Sequence, residues 1–146
     1  MIVKLLISFL LVALCVTAHA LGITFLFRRI DHSTELADPR FWVPVWCLVR
    51  VAGRLILLHL FEISLWAVFY MYGHAMPDPQ SALYFSSVTY TTVGYGDLVL
   101  PEKWRLVGGI EALTGILMCG WSTGFFFTVV TRMHQTRVID QKRELP

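Results

Sequence analysis

Charge is the scarcest ingredient of this sequence. Only 15% of its 146 residues are Asp, Glu, Lys or Arg, while 56% are hydrophobic. A soluble domain carries about 25% charged and about 45–50% apolar residues, because it must cover its core with polar surface. A soluble enzyme and a disordered tail are therefore poor fits. The net charge is only +2, so there is no basic field for nucleic acid. Cysteine is scarce too: Cys15, Cys47 and Cys119 sit in apolar stretches without close spacing. That excludes a disulfide framework and a cysteine metal motif and leaves small buried hydrophobes. Internal repeats and low-complexity stretches are also missing. What remains, at a mean hydropathy of +0.64, is one small domain that belongs in lipid.

Three apolar runs are long enough to cross a membrane, which takes ~20 residues. The first runs from Leu5 to Phe27, between Lys4 and Arg28-Arg29. The second is clearest from Leu55 to Tyr72, with its helix beginning near Pro44, and the third runs from Leu106 to Val130. Between the last two lie Pro77-Asp78-Pro79 and an aromatic, hydroxyl-rich stretch from Ser81 to Thr92. That stretch is too short to cross, but it suits a short helix that enters and leaves on one side. Asp78 can cap such a helix and Pro79 can occupy its first turn. The first run has a second reading as a cleaved leader, with Lys4, an apolar core from Leu5 to Val16, and Ala18-His19-Ala20 as cleavage pattern. Against this, apolarity resumes from Leu21 to Phe27.

Arg28, Arg29, Arg40, Arg50 and Arg54 cluster between the first and second runs, and Arg132, Arg137, Lys142 and Arg143 follow the third. Only Lys4, Lys103 and Arg105 fall on the other side. The positive-inside rule then predicts a cytoplasmic 28–54 connection and C-terminus, with the N-terminus and the 73–105 segment outside. Trp42, Trp46, Tyr70, Tyr72 and Trp104 fall near the interfaces, as an aromatic belt does.

Residues 91–97 read Thr91-Thr92-Val93-Gly94-Tyr95-Gly96-Asp97. Here the sequence resembles the potassium channel pore family, whose selectivity filter is the T-V-G-Y-G run. The residue types suit the task. Dehydrating a potassium ion takes a cage of oxygens of moderate field strength, which backbone carbonyls supply without formal charge. Aiming successive carbonyls the same way needs backbone with positive φ, which Gly94 and Gly96 adopt at little cost.

The resemblance covers roughly residues 45–132 and implies the rest. The permeant ion is K+, bound at Thr92, Val93, Gly94, Tyr95 and Gly96, with no cofactor. Thr91, Asp97 and Tyr84 support the filter. Ala82–Val88 is the pore helix, whose negative C-terminal end favours a cation. Trp104 opens the inner helix and Gly115 is its hinge candidate. Val88 stands where some members have a glutamate behind the filter, and Tyr84 where those members have a tryptophan. Four chains must surround the axis, so a C4 homotetramer in the lipid bilayer is implied.

The expected fold is therefore an all-α membrane protein of three transmembrane helices plus a short re-entrant pore helix and filter. Its segments are 1–43 (first helix and connection), 44–132 (pore domain) and 133–146 (cytoplasmic tail). The expected location is a prokaryotic inner membrane. An accessory subunit with a silent pore is the alternative, and no enzyme chemistry is expected.

Carboxylate and imidazole groups interrupt the second and third spans. His59 and Glu62 lie three apart on one helix face, with Glu62 about 15 Å deep, and Glu111 lies about 7–8 Å below Leu106. Intramembrane ionisable groups default to a functional hypothesis. Proton-linked gating by His59, Glu62 and Glu111 is one, with His59 and Glu62 sharing a proton or contacting the first helix. A buried pair bonded to Ser64, Thr or Tyr hydroxyls is the structural alternative. A metal site of His59, Glu62 and Glu111 is more remote, since His-x-x-Glu alone gives two ligands. Arg50 and Arg54 suit snorkelling, and no ladder of arginines supports voltage sensing. Gly120-Trp121-Ser122-Thr123-Gly124 and Thr128 make a small-residue face that either lines a cavity or packs helices. The stretch after Thr131 is too short for a folded ligand-binding domain.

Overall fold

The computed structural model describes residues 2–31, 38 and 40–143, with side chains over 2–30, 38 and 40–135. Four helices form: α1 (Ile2–Asp31), α2 (Trp42–Tyr72), α3 (Pro79–Tyr90) and α4 (Arg105–Arg143), with a 3-10 turn at Glu102–Trp104 before α4. Among the described residues there is no strand. Helices α1, α2 and α4 are each long and apolar enough to cross a membrane, where a helix satisfies its backbone internally.

Local chemistry sets the ends. Pro44 falls in the first turn of α2, where a missing N–H costs nothing. At its other end the Gly73 amide bonds Phe69 O (3.0 Å), and His74, at φ 51°, turns the chain back so that the Ala75 amide reaches Tyr70 O (2.9 Å). Asp78 caps α3 by accepting from the Ser81 amide (2.9 Å) and hydroxyl (2.6 Å), with Pro79 in the first turn. Basic Arg28 and Arg29 close α1, where positive charge complements the helix dipole.

Two apolar clusters hold the helices together. Around α3, Trp66, Tyr70, Phe85, Tyr90, Trp104, Val107 and Met118 are buried with Cys15 of α1. Towards the other end, Ile23, Leu26 and Ile30 of α1 pack with Val51 and Leu55 of α2 and Phe125 and Val129 of α4. Lys4 Nζ sits 3.8 Å from the centre of the Trp104 ring, and the Arg132 guanidinium 5.9 Å from that of Phe27. Both contacts put the start of α1 at the α3 end of the bundle, whichever side faces the cytoplasm.

Helix α4 runs beyond the apolar stretch from Leu106 to Val130. It continues past Val130 to Arg143 because no Gly or Pro interrupts residues 125–145. The chain after Thr131 is thus helical as far as Arg143, while the side chains of Arg137, Lys142 and Arg143 lie outside the described residues.

Gly115, the hinge candidate, marks the tightest contact. A Cβ built there would lie 1.8 Å from the Tyr90 carbonyl oxygen, which belongs to backbone and has little room to yield. The end of α3 therefore rests directly on the backbone of α4. Gly115→Ala should lower thermal stability in detergent by about 1–3 kcal/mol, the usual range for overpacking. Gly53→Ala, on a helix with nothing within 4 Å, should leave it unchanged or raise it by about 0.5–1 kcal/mol. Equal effects from the two changes would remove the wedge from the account.

Candidate functional site

The segment after α3 has an unusual backbone. φ is +61° at Thr92, +52° at Gly94 and +79° at Gly96, while Val93 and Tyr95 stay negative. Such alternation of handedness turns successive carbonyls to one side of the ribbon. Glycine takes positive φ freely, but a β-branched threonine does so only under strain, of order 1–3 kcal/mol. The strain is held by bonds to the end of α3. The Thr91 amide and hydroxyl donate to Ser87 O (3.2 and 2.7 Å), the Thr92 amide to Thr89 O (2.9 Å) and the Gly94 amide to Val88 O (3.0 Å). Val88 thus anchors the ribbon through its carbonyl. Strain stored where the surroundings over-determine it points to function.

Behind the ribbon, Tyr84 Oη donates to Asp97 Oδ2 at 2.7 Å. That bond holds the Asp97 carboxyl below its ordinary value and pushes the Tyr84 phenol up. Val93 and Tyr95 are 51% and 73% exposed on the lone chain.

A second polar site lies deep between the helices and draws on all four of them. His19 Nδ1 is 2.9 Å from Glu62 Oε1, and Tyr90 Oη donates to Glu62 Oε2. His59 Nδ1 is 3.2 Å from Tyr90 Oη and 3.6 Å from Glu62 Oε2. The second nitrogens of both rings converge on one hydroxyl: Ser122 Oγ lies 3.0 Å from His59 Nε2 and 3.1 Å from His19 Nε2. His19 and Glu62 are fully buried. The result is a closed ring of five polar contacts. Each contact needs one hydrogen. Two neutral imidazoles, a serine and a phenol bring four between them, so with a carboxylate at Glu62 one contact is left without a hydrogen.

Glu111 does not join this ring. It accepts from Tyr70 Oη (2.7 Å) and meets Ser86 Oγ (2.5 Å), which is also 2.8 Å from Ile63 O. The expected grouping of His59, Glu62 and Glu111 is thus corrected, because Glu111 is held by hydroxyl partners of its own, Tyr70 and Ser86. The third member is His19 of the first helix, which the sequence reading absorbed into a leader cleavage pattern. A histidine inside an apolar span was the signal that could have found it. Ser64 is not a partner of Glu62 either, since it bonds Leu60 O in its own helix. Of the small-residue face, Ser122 turns into the ring. Thr123 and Thr128 bond carbonyls of their own helix, and Gly120 and Gly124 are open.

Residues 56–132 match the family described as "Ion channel". No curated protein matches the chain, and no solved structure does.

Asp97 has a depressed pKa, so its favourable contribution is present above its ordinary value of 3.8 and is lost as pH falls through the lowered one. Tyr84→Phe removes the leading cause, so the carboxyl should protonate at higher pH, and any acid loss of the ribbon's order should begin earlier. Carbon NMR titration of the Asp97 carboxyl reads this directly, and an unmoved midpoint would mean that the phenol does not hold it.

Proposed function

The chain belongs to the ion channel family, and on that premise we propose that it is a potassium-selective channel carrying K+ passively across the membrane. The alternation of φ over residues 92–96 carries this reading. Carbonyls of Thr92, Val93, Gly94 and Tyr95 replace the water around a K+ ion, with Gly96 ending the filter and Thr91, Tyr84 and Asp97 supporting it. Neutral carbonyl dipoles hold a monovalent ion strongly enough to enter and weakly enough to leave.

One ribbon supplies one side of such a cage, so the channel is a homotetramer about a four-fold axis. The exposed side chains of Val93 and Tyr95, with Leu113, Ile116 and Leu117 along α4, are where the neighbouring copies and the pore lie. The Gly115 contact keeps α3 seated on the inner helix α4, so movement of α4 is felt at the filter. The N-terminus and the α3 end of the bundle face outside, and the arginine-rich 28–54 connection and the end of α4 face the cytoplasm.

Purified protein in liposomes loaded with K+ should show flux that K+ and not Na+ supports. Gly94→Ala, which puts a side chain at φ +52°, should reduce that flux at least tenfold while the oligomer survives. Absence of flux from the wild type under every condition tried would favour an accessory subunit with a silent pore.

A further inference from the structure

We propose that the ring around Glu62 is a binding site for a divalent transition-metal ion of the Zn2+ class, held by His19 Nδ1, His59 Nδ1 and a Glu62 carboxylate oxygen.

The ligand set is chemically apt. Two imidazoles and one carboxylate form a recurrent three-ligand zinc set whose fourth position stays open. Bonds of ~2.0–2.2 Å in a tetrahedron imply ligand atoms about 3.3 Å apart. His19 Nδ1 and Glu62 Oε1 are 2.9 Å apart, and His59 Nδ1 and Glu62 Oε2 are 3.6 Å apart. One ligand atom from each of the three residues lies within 4.8 Å of the others.

The orientation of the rings is the stronger point. Both point Nδ1 at the carboxylate and Nε2 at the same Ser122 hydroxyl. A metal-bound histidine donates its other ring N–H to an outer partner that fixes its tautomer, and Ser122 Oγ has two lone pairs, one for each ring.

With a metal on both Nδ1 atoms, each Nε2–H donates to Ser122 and the Tyr90 hydroxyl donates to Glu62 Oε2. The ion then stands where the missing hydrogen would, between the Nδ1 atoms and the carboxylate, and the contact of His59 Nδ1 with Tyr90 is given up. A neutral imidazole and an ionised carboxylate are also the forms that bind metal. Tyr90 Oη lies 3.2 Å from His59 Nδ1. The ionisable neighbours are the Cys15 thiol from α1 and the Cys119 thiol from α4, so nitrogen and oxygen ligation has a sulfur competitor to exclude. An ion held here fastens α1 to α2, beside the Tyr90 that ends α3.

The test is metal analysis of the purified full chain, stripped with chelator, incubated with ZnCl2 at neutral to mildly alkaline pH and freed of excess. One zinc per chain is expected. X-ray absorption of the loaded protein should show nitrogen and oxygen at ~2.0–2.1 Å with two imidazoles and no sulfur near 2.3 Å. His19→Gln and His59→Gln should each weaken binding at least hundredfold, and Ser122→Ala by about ten- to a hundredfold. His74→Gln, at an exposed histidine elsewhere, should change nothing. No stoichiometric zinc in the folded wild type overturns the site and leaves a proton as the ring's extra charge. So does a sulfur shell in the absorption spectrum. Should the ring variants fail to fold, stoichiometry and absorption on the wild type still decide.

Discussion

A polar group inside a bilayer has no water to turn to, and every unusual feature of this chain follows from how that constraint is met. An α-helix meets it by itself, which is why α1, α2 and α4 are long and unbroken. Helix α3 is too short to cross, so its ends must be satisfied by protein. Asp78 does so at the start. At the far end the carbonyls of Ser87, Val88 and Thr89 take up the amides of the strained ribbon. On the function proposed above, the carbonyls of that ribbon find their partner in the permeant ion.

Tyr90 joins the two polar systems. Its carbonyl lies against Gly115, its hydroxyl bonds Glu62, and the ribbon begins at the next residues. The ribbon, the inner helix and the buried ring therefore share one side chain and one peptide unit. A displacement of α1 or α2 that disturbs Glu62 acts on the residue from which the ribbon springs. Interiors at this packing density transmit such strain and do not absorb it.

Much of this was legible in the sequence, and the rest was hidden for specific reasons. The spans followed from apolar length, the start of α3 from Asp78 and Pro79, and the positive φ at Gly94 and Gly96 from the absence of a side chain. Thr92 gave no such signal, since its +61° is imposed by bonds to α3 and not by its own preference. His19 was hidden because a short pattern, Ala18-His19-Ala20, explained it locally. Its partner is 43 positions away, and no helical periodicity links residues across elements. Tyr90 and Ser122 look like ordinary members of an aromatic stretch and a small-residue face until the helices are packed. The end of α4 could not be read in advance, because hydropathy marks where a helix leaves lipid and says nothing of where it stops.

The scarcity of charge also has a sharper meaning once the side chains are placed. Glu62 and Glu111 are both fully buried, yet their surroundings differ in kind. Glu111 meets only hydroxyls, from Tyr70 and Ser86. Those groups can hold a carboxyl in place, but they bring no cation and make a poor set for a transition metal. Glu62 meets two imidazoles that are themselves aligned by Ser122, an arrangement more elaborate than pairing one carboxylate demands. A single hydroxyl would satisfy an oxygen as well, as Ser86 does for Glu111. What the second arrangement adds is a pair of ring nitrogens turned towards one carboxylate, the donor set that the proposed metal ion would use.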